Sequence, residues 1–171
     1  FEMMMKDQVD PNKITLMCIL KACGRIDARE EGNWMHNKVV KDGLESDTLI
    51  QVTLIDMYMK LGCFRAARRV FENVLNPKLC IWNAIITGYA QHKHGFEVFE
   101  LFECMHRKGP RPDETTYTNI FKVCTDLNAM AEGKIFHDWM IRDGVTFDVV
   151  IGNSLINMYM KIGHLEEAEK V

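Results

Sequence analysis

A ten-residue run occurs twice in this chain. Thr53-Leu54-Ile55-Asp56-Met57-Tyr58-Met59-Lys60-Leu61-Gly62 returns 101 residues later as Ser154-Leu155-Ile156-Asn157-Met158-Tyr159-Met160-Lys161-Ile162-Gly163. The same offset carries Ile19-Leu20-Lys21-Ala22-Cys23 onto Ile120-Phe121-Lys122-Val123-Cys124, Asp42-Gly43 onto Asp143-Gly144, and Asp47 onto Asp148. Self-similarity at a fixed period constrains a fold more than composition does. Each repeat makes the same local structure, and each buries its apolar face on its neighbours.

The long period divides into three. Units run 13–47, 48–78, 79–113 and 114–148, with a cut unit at 149–171 and the tail of an earlier one at 1–12. Each unit carries two amphipathic helical patterns. In the first helix, apolar pairs recur in register: Ile19 and Leu20, Leu54 and Ile55, Ile85 and Ile86, Ile120 and Phe121, Leu155 and Ile156. Cys23, Tyr58, Tyr89, Cys124 and Tyr159 follow three positions on and complete a buried stripe. In the second helix one register position holds Gly32, Ala67, Val98, Gly133 and Ala168, slim residues that let helices approach closely. Gly43, Gly109 and Gly144 stand where a left-handed helix C-cap favours glycine, and Pro11, Pro77 and Pro112 lie in turns between units.

These patterns predict an all-α protein: one α-solenoid of stacked helix–turn–helix repeats, a right-handed superhelix with a concave and a convex face and no internal domain boundary. Residues 47% hydrophobic and 26% charged are too apolar for a disordered chain. No apolar run reaches the roughly 18 residues of a membrane helix, so no membrane partner is expected. The net charge of −3 supplies no overall basic signal for nucleic acid, and charge has to be read by position. Six cysteines without a C-x-x-C pair make a zinc site unexpected; their spacing leaves disulfides open, and they read as small buried hydrophobes of a reducing compartment. Both ends fall within helical patterns, Phe1-Glu2-Met3-Met4-Met5 and Glu166-Glu167-Ala168-Glu169-Lys170-Val171, so the chain reads as a fragment.

The units resemble pentatricopeptide repeats along the whole chain. Trp82-Asn83-Ala84-Ile85-Ile86-Thr87-Gly88-Tyr89-Ala90 with Gly109-Pro110-Arg111-Pro112-Asp113 looks like the family's standard (P) motif. Met57-Tyr58-Met59-Lys60-Leu61-Gly62 looks like its short (S) motif, and Leu20-Lys21-Ala22-Cys23 with Glu31-Gly32 and Lys41-Asp42-Gly43 like its long (L) motif. The resemblance therefore assigns 1–12 as the end of a P motif, 13–47 as L, 48–78 as S, 79–113 as P, 114–148 as L and 149–171 as a truncated S motif. That order is typical of the plant triplet (PLS) subclass.

What the resemblance implies is recognition of single-stranded RNA at one base per repeat, chosen by the fifth and last residues of each motif. In the complete P motif these are Asn83 and Asp113, a pair resembling the one that prefers uracil over cytosine; an amide can pair with a pyrimidine edge, and a carboxylate can fix its orientation. The alternative is a solvated Asn83 and an Asp113 that caps the next helix. Thr118 with Asp148 resembles a guanine reader. Asn153 is the fifth residue of the last motif, and Asn12 the last residue of the first. Met17 with Asp47 and Val52 with Lys78 depart from the pattern and read as spacers.

The second residues, Ile14, Leu49, Cys80, Thr115 and Val150, are expected to sandwich bases. Lys60 and Lys161 are candidate phosphate contacts, or lysines favoured by the helix dipole. No catalytic residue, cofactor, metal or small-molecule substrate is expected. His36 and His137 share a register and read as packing, while His92 and His94 lack a cysteine or carboxylate nearby. His164-Leu165-Glu166 matches half of a zinc deaminase signature by chance.

The resemblance implies a non-enzymatic RNA editing or processing specificity factor of the mitochondrion or chloroplast, with other organellar RNA-processing or ribosomal proteins as partners. The alternative is a protein-interaction or structural subunit of a large organellar ribonucleoprotein, favoured by Val52, Met17 and the acidic net charge.

Overall fold

The computed structural model describes residues 11–171. The expected tail of an earlier unit at 1–10 lies outside the described residues. Ten helices and no strands are found among them. They fall into two compact parts, one ending at Leu75 and one beginning at Asn76.

The first part holds α1 (Lys13–Arg25), α2 (Arg29–Lys41), α3 (Thr48–Lys60) and α4 (Phe64–Glu72). Helix α1 packs on both α2 and α3, and α3 packs on α4. The second part holds α5 (Leu79–Gln91), α6 (Gly95–Lys108), α7 (Glu114–Leu127), α8 (Met130–Arg142), α9 (Val149–Ile162) and the short α10 (Leu165–Glu169). Helix α7 lies between α5 and α9, so successive first helices stack side by side. The second helices meet through aromatic rings: Phe99 and Phe102 of α6 pack on Phe136 of α8 with centroids 5.3 and 5.1 Å apart. Each part is thus a stack of helical hairpins, an α-solenoid arrangement in which no hairpin buries its stripe alone.

The core is the stripe read from the sequence. Leu20, Leu54, Ile55, Ile85, Ile86, Ile120, Phe121 and Leu155 are buried, and so are Cys23, Tyr58, Tyr89, Cys124 and Tyr159. Ile19 and Ile156 are only half-buried. The slim register position of the second helix does what its size requires. A Cβ on Gly32 would stand 3.0 Å from Met57 Sδ, and one on Gly133 would stand 2.7 Å from Met158 Sδ. The same glycine–methionine contact is therefore made at both copies of the 101-residue period.

Two expectations need correction. Gly109 is not a left-handed cap: its φ is −96° and ψ −171°. Pro110 follows it and drives the preceding residue into extended backbone; a side chain there would also meet Met105 O at 2.8 Å. Gly43 and Gly144 are left-handed, with φ of 69° and 65°. A second left-handed position lies inside every hairpin among the described residues, at the fifteenth residue of its unit: Asp27, Gly62, Lys93, Asn128 and Gly163. Glycine spacing alone hides it, because three of the five are not glycine. Finally, only Cys23 and Cys124 are buried cysteines; Cys18 and Cys80 are exposed, and all six thiols are free. Cys18 and Cys80 sit on helix faces turned away from the stripe.

Candidate nucleic-acid interface

The first helix of each hairpin starts directly after an N-cap: Asn12, Asp47, Lys78, Asp113 and Asp148. A capping side chain occupies its own helix's first turn unless another group competes for it. What each cap touches differs from repeat to repeat.

Asp113 does two things at once. Its Oδ1 accepts from Thr116 N at 2.9 Å, while its own N–H reaches Thr116 Oγ1 at 3.3 Å, a reciprocal capping box that starts α7. Both carboxylate oxygens also accept from Asn83 Nδ2 on α5, each at 3.0 Å. The two oxygens subtend too narrow an angle for both amide hydrogens, so one N–H is shared between them and the other is left over. The buried hydroxyl of Thr116 donates to Asn83 Oδ1 at 2.6 Å. The carboxylate makes the amide nitrogen, not the oxygen, face Asp113. The cap and the amide clamp, set against each other as alternatives in the sequence, coexist. One helical turn on, Asn119 Nδ2 donates to Thr87 Oγ1 at 3.0 Å and continues the polar seam between α5 and α7.

No other repeat among the described residues has this arrangement. Asp47 caps α3 through Leu49 N and Ile50 N and takes an ion pair from Lys13 Nζ at 2.5 Å. The Lys13 ammonium holds its carboxyl below the usual range, and Met17 offers it no polar group. Asp148 accepts from Ile151 N at 2.8 Å, and no hydrogen bond joins it to Thr118. Lys78 caps α5 without a side-chain bond. Asn12 is engaged by Thr15, whose N–H and Oγ1 lie 2.9 and 3.1 Å from its Oδ1. Asn153 is exposed on α9.

All five second-position residues, Ile14, Leu49, Cys80, Thr115 and Val150, are exposed on the first turn of their helices. Apolar side chains in that position cost solvation unless something covers them. The two candidate lysines differ. Lys60 is tied to Asp56 at 2.6 Å, whereas the residue matching Asp56 near Lys161 is Asn157, which carries no charge. Lys161 lines a cleft of about 300 Å³ with Thr118, Lys122, Thr125, Asp126, Ser154 and Asn157. Lys122 was not singled out from the sequence; its signal is that it repeats Lys21 at the long period. Thr116 was also missed, because as a helix-starting threonine it looks like an ordinary cap partner.

His36 and His137 pack against tyrosines. His36 Nδ1 lies 2.8 Å from Tyr58 Oη, and Tyr58 in turn donates to Asn33 Oδ1. His137 and Tyr159 repeat the pair. His94 does have a carboxylate beside it, contrary to expectation: Glu97, one turn along α6, is 3.1 Å away.

The PPR repeat family matches residues 77–126, and the PPR repeat matches residues 52–75 and 153–171. The chain belongs to the pentatricopeptide repeat family. An Arabidopsis thaliana pentatricopeptide repeat-containing protein is 35% identical over 95% of this chain and 23% of its own length. A chloroplastic one is 32% identical over 100% of this chain and 21% of its own, and a mitochondrial one 32% identical over 92% and 28%. This chain thus spans about a quarter of the pentatricopeptide repeat proteins it matches. Among solved structures, the pentatricopeptide repeat protein PPR10 from maize superposes with a TM-score of 0.72 at 20% identity over 94% of this chain and 24% of its own. PPR10 in complex with an 18-nt psaJ RNA element superposes at 0.76 and 17% identity, over 99% and 26%. The pentatricopeptide fold is shared.

Proposed function

We propose that this segment binds single-stranded RNA and that Asn83, held by Asp113, selects uracil. The single observation that carries the reading is the amide clamped to the carboxylate, with one N–H left over. Uracil carries N3–H between two carbonyl oxygens, so an amide that offers a donor beside its own oxygen can pair with either side of it. Cytosine offers that pattern on one side only. PPR10 is similar in fold and was solved with an RNA element, which supports the same ligand class here. Thr118 with Asp148 is a second, weaker base-selecting position, and Asn153 a third. Asn12, the last residue of its motif, is a further base-selecting position. Exposed Ile14, Leu49, Cys80, Thr115 and Val150 flank bases, while Lys161 and Lys60 contact phosphates.

The motifs follow the long, short, standard order of the PLS subclass, with the boundaries given above. The protein acts in the chloroplast or mitochondrion, as relatives of both designations suggest. It is a non-catalytic factor that positions an editing or processing machinery on one transcript. A scaffold role within a ribonucleoprotein is the second reading, favoured by the hairpins whose fifth residues, Met17 and Val52, offer no base-reading group.

Fluorescence anisotropy with short single-stranded RNAs that differ at one base decides between them. A uracil preference that Asn83→Ala abolishes, at a cost of roughly 1–3 kcal/mol, supports base reading. Binding indifferent to base and to Asn83, or no binding at low salt, favours the scaffold.

A further inference from the structure

We propose that Thr116 is a positioning residue for base selection: its buried hydroxyl fixes the tilt of the Asn83 amide. This inference rests on the reading of Asn83 as the selecting group. The carboxylate of Asp113 settles which end of the amide faces inward, because an amide oxygen turned toward it would be repelled. One contact does not define a plane, however. An amide held only through its nitrogen can rock about that bond, and its remaining N–H then sweeps across more than one base-edge acceptor. Thr116 Oγ1 lies 2.6 Å from Asn83 Oδ1 and 2.9 Å from Asp113 Oδ1, and its single proton, directed to the nearer Asn83 oxygen, supplies the second point. The threonine is fully buried, so water does not compete for the contact, and its own position is set by the capping box of α7. Preorganisation through a locked supporting residue is what sharpens discrimination between similar ligands.

The arrangement crosses a repeat boundary. The selecting amide belongs to one unit, its carboxylate ends that unit, and the hydroxyl is the third residue of the next. In the other described repeats the corresponding trios are Met17, Asp47 and Ile50; Val52, Lys78 and Ile81; and Thr118, Asp148 and Ile151. None combines an amide, a carboxylate and a hydroxyl. Those isoleucines also show that a β-branched apolar residue fits this register.

The test compares Thr116→Val and Thr116→Ser with the unaltered protein and Asn83→Ala, measuring affinity for RNAs with uracil or cytosine at the position read. Wild type is expected to prefer uracil about tenfold or more, the scale of one base contact. Thr116→Val is expected to lower that ratio to about threefold or less, the loss of one hydrogen bond's discrimination, while Thr116→Ser restores it. A Thr116→Val protein that loses affinity for both RNAs equally, with the ratio intact, overturns the proposal and leaves Thr116 a helix cap. A ratio intact in Thr116→Val but lost in Asn83→Ala does the same while the base-reading function stands. If Asn83→Ala itself leaves the ratio unchanged, base reading by Asn83 fails and the positioning role falls with it. Circular dichroism melting of each variant separates unfolding from altered choice; should Thr116→Val not fold, Thr116→Ala removes the same hydroxyl and is judged by the same ratio.

Discussion

His137 Nδ1 lies 2.9 Å from Tyr159 Oη, and 101 residues earlier His36 Nδ1 lies 2.8 Å from Tyr58 Oη. Each pair joins the second helix of one hairpin to the first helix of the next. Ring edges meet at centroid distances of 5.8 and 5.5 Å, so the imidazoles are part of the packing.

Burial lowers the pKa of both histidines from the ordinary 6.5, and raises Tyr58 to about 12. The folded state therefore resists taking up protons that the unfolded chain accepts. Stability should be flat above about pH 7 and fall as pH drops through about 6.5, by at most about 1.4 kcal/mol per pH unit for each histidine. Urea unfolding between pH 7.5 and 5.5 reads this slope, and His36→Asn or His137→Asn should each reduce it. Asp47, whose pKa is lowered by Lys13, adds a separate loss only near and below its ordinary 3.8.

Lys93 has a φ of 62° at the turn between α5 and α6, where the matching residues of two other hairpins are Gly62 and Gly163. A lysine in that backbone region costs roughly 1–2 kcal/mol, and its short polar counterparts Asp27 and Asn128 tolerate it better. Lys93→Gly should raise the urea midpoint by up to about 1 kcal/mol of stability, less than the full strain because glycine gains unfolded-state entropy. An unchanged or lower midpoint would count against strain at this turn.

Lys161 is unpaired, while Lys60 is held by Asp56. For RNA binding measured across a salt series, Lys161→Gln should shallow the log–log slope by about 0.7, one phosphate's worth on a single strand. Lys60→Gln should change it less, and Asp56→Asn should steepen it by releasing the ammonium. Equal slopes in all three variants would remove both lysines from the RNA path.

Burial pushes the Cys124 thiol up to about 12 and raises that of Cys23, whereas Cys18 and Cys80 are exposed. A maleimide should label Cys18 and Cys80 in the native protein and reach Cys124 only on unfolding, as mass spectrometry of timed samples would show. Uracil-containing RNA should slow labelling of Cys80, which stands three residues before Asn83. Undiminished labelling in saturating RNA would exclude Cys80 from contact with a base.

Much of this protein is legible in its sequence because its determinants are local and periodic. Tyr58 and Tyr159, or Gly32 and Gly133, occupy equivalent places because the same spacing meets the same helical geometry each time, and burial of the stripe follows from period alone. The pairing of Asn83 with Asp113 was legible too, through its resemblance to a known motif. The tertiary structure decided the rest. Whether a terminal aspartate serves an amide depends on what stands within reach across a hairpin boundary: Asp113 finds Asn83, Asp47 finds Lys13, and Asp148 meets only its own helix. Likewise Thr116 meets Asn83 from 33 residues away, and Gly109 is extended because of the proline after it. A repeat sets where each residue sits; short-range hydrogen bonds between neighbouring repeats set what that residue can do.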